Sequence, residues 1–257
     1  MNRGFRLLVG LLLPCLLLLV WELLTRAQIL PPSLSTPLST VATTLLDLGS
    51  SREFGSHMLS SLARLTIGVL TGSLIGIATG LTLSQVQPLR TLFGPTIRFL
   101  APIPVIVWMP FIIALAGTQE AYKVVMVAVA TFFVMHGHSF DGGSAVSDRH
   151  LELARIYRKP FHARIMKIIL PAATPLIFTG LRLSLAFAWV ILLFVEFGSA
   201  HAGSEGLGWF VADARALGRV EDEYAGVVAI AFLGLLTDII AAGLCAHASR
   251  WSDKSQV

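Results

Sequence analysis

The chain has 257 residues, of which 55% are hydrophobic and only 13% charged, with a mean hydropathy of +0.77. Globular domains carry about a quarter charged residues, and no soluble fold of this length has enough polar shell to cover so much apolar surface. A soluble enzyme or adaptor is excluded, and an all-α, polytopic membrane protein is expected. The net charge of +4 does not point to nucleic acid, because Lys and Arg gather at the ends of apolar runs instead of forming a stripe with aromatics. The lipid bilayer is the partner that this placement fits. Cys15 and Cys245 both lie inside apolar runs, which suits small core hydrophobes and supplies neither a disulfide framework nor a metal-finger spacing.

In chain order, residues 7–24 form a Leu-rich run behind Arg3 and Arg6. A cleaved signal peptide and a retained first span both fit a basic start. The run is long for a signal, and Thr25-Arg26-Ala27 is a poor cleavage site, so the retained span is the stronger reading. ILPPSLSTP reads as an extended turn, and residues 38–48 as a short interfacial helix. Residues 58–84 form the second span, with Gly68, Gly72, Gly76 and Gly80 on one face for close helix contact. Residues 92–116 carry Pro95, Pro102, Pro104 and Pro110. No continuous helix tolerates that set, so a short helix, a turn at APIP and a span over 105–115 are expected. The fourth, fifth and sixth spans fall at 122–140, 175–197 and 224–246.

Six spans with the N-terminus inside place Arg3, Arg6, Arg90, Arg149, Arg155, Arg158, Lys159, Arg164, Lys167, Arg250 and Lys254 in the cytoplasm. Arg26, Arg52, Lys123, Arg215 and Arg219 fall on the other side. This eleven-to-five bias sets the orientation. Residues 1–57 are then an N-terminal span with an external segment, and 58–250 a transmembrane core with a cytoplasmic loop at 141–170.

That loop holds ELARIYRKPFHARIMKIILP, from Glu152 to Pro171. It predicts a helix over 151–157, a break at Arg158-Lys159-Pro160, and a second short helix over 161–169 that ends before Pro171 opens the fifth span. A loop that only fixes topology needs charges, not apolar positions at Leu151, Ile156, Phe161, Ile165 and Ile168; these look built to dock a partner.

On these residues the chain resembles the inner-membrane permease subunits of ATP-binding-cassette importers. Their cytoplasmic loop reads E-A-A, then a Gly four residues later, then an apolar-Leu-Pro close. Here it is Glu152-Leu153-Ala154, with Arg158 where the family has Gly, closing on Ile169-Leu170-Pro171. The flanks are similar to the nitrate/sulfonate/taurine branch: Leu170-Pro171-Ala172, Pro175, Ile177, Thr179-Gly180-Leu181-Arg182-Leu183, Ala188-Trp189 and Glu196. ILPPS at Ile29, APIPVIVWMP at Ala101 and Gly206-Leu207-Gly208 continue the likeness in order.

The resemblance implies a type I importer permease core with no chemistry of its own and no cofactor or metal. Its implied partners are a cytoplasmic ATP-binding subunit, an extracytoplasmic solute-binding protein and a second permease, either a copy of this chain or a different one. It implies import of a small solute such as a sulfonate, taurine or nitrate, with pyrimidine-type precursors as the alternative. Glu152, Leu153, Ala154, Ile156, Arg158 and Pro171 become the candidate ATPase-coupling residues. Pro102, Pro104, Trp108, Pro110, Trp189 and Glu196 become candidates for the translocation path.

A membrane enzyme or haem protein is the competing class. Its best support is His136-Gly137-His138 at the end of the fourth span, but residues i and i+2 of a helix face about 200° apart and do not readily share an ion. No Walker A loop is present, so ATP chemistry belongs to another chain. Arg98, Arg182, Glu196 and Asp238 are ionisable residues near membrane depth, where pairing or function is the expectation.

Overall fold

A computed structural model describes residues 3–29, 31, 36–147, 149, 152, 156–198 and 205–249. Among these the regular structure is helical, without a strand. In chain order the helices are α1 (Arg3–Arg26), α2 (Leu38–Gly49), α3 (Arg52–Gln85), α4 (Gln87–Leu100), a 3₁₀ turn (Val105–Trp108), α5 (Met109–Ala116), α6 (Glu120–Ser144), α7 (Phe161–Phe197), α8 (Leu207–Ala216) and α9 (Val220–Ser249).

Among the described residues, four helices are long and apolar enough to cross a bilayer: α3, α6, α7 and α9. A fifth crossing is available if α4 and the Val105–Ala116 segment, bent by 99°, act as one broken span. At 24 residues, α1 reaches about 36 Å, enough for a sixth. Its leucines from Leu12 to Leu19 stand exposed, as they would against lipid.

The core forms where α3, α6 and α7 meet. Lipid tails are as apolar as leucine, so helices associate in a membrane through close packing rather than hydrophobic expulsion. The glycine face of α3 provides that closeness. A Cβ at Gly68 would stand 2.6 Å from Val127, and one at Gly76 would stand 2.8 Å from Met135, so no larger residue fits the α3–α6 seam. Met126, Val127, Leu192 and Val195 are wholly buried there. Ser51 starts α3 by accepting the Phe54 N–H at 3.4 Å, which satisfies one orphan donor of the first turn.

Three expectations need correction. Residues 105–115 do not make a span of their own: a 3₁₀ turn, Val105–Trp108, gives way near Pro110 to an eight-residue helix, Met109–Ala116, about 20 Å in all. The helix beginning at Phe161 does not stop before Pro171. It passes through a π turn, Ile165–Ile169, and continues to Phe197. The wider turn shifts the hydrogen-bond ladder just where Pro171 lacks an N–H and its ring would crowd the preceding turn. His136-Gly137-His138 is not a helix end, because α6 runs on to Ser144.

Candidate functional site

Where α3 and α6 begin and α7 ends, the chain buries an ionic cluster. Glu196, in the last turn of α7, has 0% exposure. Its Oε1 accepts from Arg64 Nη1 at 2.6 Å, and both its oxygens accept from the Ser61 hydroxyl, at 2.9 and 2.8 Å. Its Oε2 also accepts the Gly208 N–H at 3.0 Å, in the first turn of α8, where a carboxylate complements the helix dipole. Arg64, with a side chain 6% exposed, joins Glu196 to two further groups. Its Nε donates to the Glu120 carboxylate of α6 and its Nη1 donates to the Glu205 carbonyl at 2.7 Å. Lys123 Nζ donates to Glu120 from the other side at 3.1 Å.

Gly206-Leu207-Gly208 completes the clasp. The Gly206 N–H donates to His57 Nδ1 at 3.1 Å and the Leu207 N–H to Ser61 Oγ at 2.9 Å. Gly206 has φ +129°, and a Cβ there would stand 2.5 Å from Glu196 Cδ, so both the backbone and the space require glycine. A buried carboxylate is costly unless paired and hydrogen-bonded; here three donors from two other elements meet it. Sequence reasoning missed Arg64. The signal that singled out Arg98 and Arg182, an ionisable residue inside an apolar run, applies to it equally.

Of the path candidates, Pro102, Pro104 and Pro110 lie exposed around the 99° bend. Trp108 is half-buried beside them, its Nε1 without a hydrogen-bond partner among the described residues. Trp189 and Glu196 stand apart from this group inside the bundle. Trp189 Nε1 donates to Thr237 Oγ1 at 3.0 Å and ties α7 to α9. Arg182 of α7 pairs with Asp238 of α9 at 2.9 and 3.1 Å.

At the opposite end lies the hairpin. Glu152 and Ile156 have helical backbone and are exposed; Leu153 and Ala154 fall outside the described residues. Arg158 adopts φ +51°, a left-handed conformation that costs a residue with a Cβ about 1 kcal/mol. Pro171 is exposed at the start of the long α-helical part of α7. Ile156, Tyr157 and Met166 are more than half exposed around the turn.

Residues 68–252 match the family model described as "Binding-protein-dependent transport system inner membrane component". The chain belongs to that family. Among its relatives, the "Putative aliphatic sulfonates transport permease protein SsuC" of Bacillus subtilis (strain 168) is 31% identical over 89% of this chain and 82% of its own length. The taurine transport system permease protein TauC of Escherichia coli (strain K12) is 25% identical over 100% of this chain and 93% of its own. The nitrate import permease protein NrtB of a Synechocystis strain is 25% identical over 86% of this chain and 82% of its own. A chain of the inward-facing MetNI methionine ABC transporter superimposes with a TM-score of 0.61 at 16% identity, covering 74% of this chain and 93% of that one. The inner-membrane component thus has the type I importer permease fold and lies among the nitrate, sulfonate and taurine permeases. It is a multi-pass membrane protein, and its relatives are transport components rather than catalysts.

Proposed function

We propose that this inner-membrane component is the translocation subunit of a binding-protein-dependent importer for a small oxyanion of the sulfonate, taurine or nitrate kind. The relatives support this class, since they are named for the transport of aliphatic sulfonates, taurine, nitrate and bicarbonate. In this reading two permease copies form the path around the exposed prolines at Pro102, Pro104 and Pro110, with Trp108 at its wall. Residues 58–250 form the core, residues 1–57 add a first span, and both termini face the cytoplasm. A binding protein delivers the solute at the clasp end, and a separate ATPase docks on the hairpin around Glu152.

One observation carries the mechanism: the helix that leaves the hairpin at Phe161 runs unbroken to Phe197. It carries Pro171 near one end and Glu196 at the other. A displacement of the hairpin by ATPase closure therefore reaches the clasp through one rigid element, as helix rocking rather than local unfolding. Glu196 serves as the far anchor of that lever, and Trp189 as its contact with α9.

Reconstitution with the cognate ATPase and binding protein in proteoliposomes tests the reading. Accumulation of methanesulfonate, taurine or nitrate should require both ATP and the binding protein. Solute movement indifferent to ATP would overturn it. The orientation is tested by placing a cysteine at Ser147, which an impermeant reagent should not label from outside intact cells.

A further inference from the structure

Beside the α3–α6 seam, α4 stands away from α6 and leaves a half-open cleft of about 460 Å³, the size range of small-molecule sites. Its walls include Arg90 and Arg98 from α4 and Phe133, His136, Phe140 and Asp141 from α6. None of the residues of α4 is buried. Neither arginine makes an ion pair among the described residues, whereas Arg64 and Arg182 are both paired.

The cleft is built, not incidental. The Arg90 guanidinium lies 5.0 Å from the Phe140 ring centroid, and the His136 ring stacks on the same Phe140 at 6.4 Å. His136 Nδ1 is 3.0 Å from Thr79 Oγ1, which fixes the ring against α3. Asp141 is the one carboxylate among the lining residues, so two positive charges share the cleft with one negative. Arg98 lies near membrane depth, where an unpaired guanidinium is expensive against lipid and defaults to a water-filled cavity or a bound counter-charge; Arg90 stands at the cytoplasmic mouth of the same cleft. The guanidinium fork presents paired N–H donors that match the oxygens of an oxyanion.

We infer that Arg90 and Arg98 form an anion site in this cleft, on the hairpin side of the bundle, that holds a small three-oxygen anion between delivery and release. This rests on the proposed importer function and assigns its solute contact to α4. The same charge chemistry would take the phosphate of an anionic lipid, so the test separates the two sources.

The permease–ATPase complex is placed in nanodiscs of phosphatidylcholine alone, and radiolabelled methanesulfonate is bound at equilibrium, with uncharged dimethyl sulfone as the neutral shape control. Methanesulfonate should bind and dimethyl sulfone should not. Arg98→Gln should weaken binding about tenfold, the scale of one charge-assisted hydrogen bond, and Arg90→Gln less, because Phe140 holds that side chain. Arg98→Lys should restore most of the affinity, and co-purification with the ATPase reports that each variant is folded. Binding indifferent to both arginines overturns the site, as does a wild-type complex that binds no methanesulfonate, nitrate or bicarbonate. Cardiolipin added to the nanodiscs and retained in an Arg98-dependent way, with no anion binding in its absence, overturns the solute assignment in favour of a lipid headgroup. Uptake by the wild type is measured in parallel. ATP-driven uptake with arginine-independent binding sinks this inference alone, whereas arginine-dependent binding without ATP-driven uptake sinks the importer reading instead.

Discussion

At the end of the bundle where α3 and α6 begin, Glu196 has no solvent exposure and three donors of its own chain meet it. At the other end, Ile156 and Tyr157 stand 73% exposed on a turn held in a left-handed conformation. One end completes its own interactions; the other leaves apolar surface and backbone strain for something outside the chain. Strain and exposure persist where a partner or function compensates for them. The clasp is therefore read as what holds this subunit's shape, and the hairpin as what another subunit grips. Changes at the first should register in stability, and changes at the second in association.

The largest expected effect is at Glu196. Glu196→Ala removes the buried carboxylate partner of Arg64, leaving it Glu120 and the Glu205 carbonyl, and frees the Ser61 hydroxyl and the Gly208 N–H, which should cost about 3 kcal/mol. Little folded protein should survive detergent extraction, as fluorescence-detected size exclusion would reveal. Glu196→Gln keeps an acceptor for Ser61 and should cost less. Gly206→Ala comes next, since both φ +129° and the 2.5 Å approach to Glu196 Cδ oppose it; about 1–3 kcal/mol is expected from strain and overpacking. A thermal melt of Gly206→Ala indistinguishable from wild type would mean that the clasp is looser than its geometry.

How much of this was legible in the sequence differs between the two ends for a physical reason. Apolar run length located every long helix, because it is a local signal; α6, expected over 122–140, runs from Glu120 to Ser144. The break at Arg158 was also local. The clasp was not, since Arg64 finds its partners at sequence separations of 56, 132 and 141 residues. Glu196 and the Gly206-Leu207-Gly208 motif were each visible as pieces. Nothing in spacing says that Glu196 caps α8 or that His57 and Ser61 receive the N–H groups of Gly206 and Leu207. The continuity of α7 escaped for a different reason: Pro171 normally argues for a boundary, and only the π turn ahead of it removes the conflict.

The hairpin should answer in the opposite way. Glu152 and Ile156 are exposed, so Glu152→Ala and Ile156→Asp should move the melting of the isolated subunit by no more than about 0.5 kcal/mol in stability terms. Both should weaken capture of the ATPase by about tenfold, the scale of one lost apolar or charge-assisted contact at a partner surface. Co-purification at graded salt separates the two variants, because only the Glu152 contribution should fade as salt screens it. Normal ATPase binding and normal coupling in both variants would return the hairpin to a loop that only fixes topology.

The smallest effect sharpens the comparison most. Arg158 holds φ +51°, and glycine reaches that region without meeting the Cβ contact that opposes it in other residues. Arg158→Gly should therefore relieve about 1 kcal/mol at the turn, offset in part by the greater freedom glycine has in the unfolded chain. If the turn matters only to this chain, the gain appears as a slight rise in melting temperature and ATPase affinity is unchanged. If the turn is what the ATPase reads, two terms oppose each other. A relaxed turn presents the hairpin more readily, while the lost guanidinium removes one charge from a basic surface. Measuring affinity in low and high salt resolves them, since the charge contribution is screened and the backbone contribution is not. An affinity gain at high salt that shrinks or reverses at low salt would assign Arg158 both roles: strain in the turn and charge at the interface. An unchanged affinity at both salts, together with an unchanged melt, would show that the left-handed turn is held by its neighbours and that the residue placed there is indifferent.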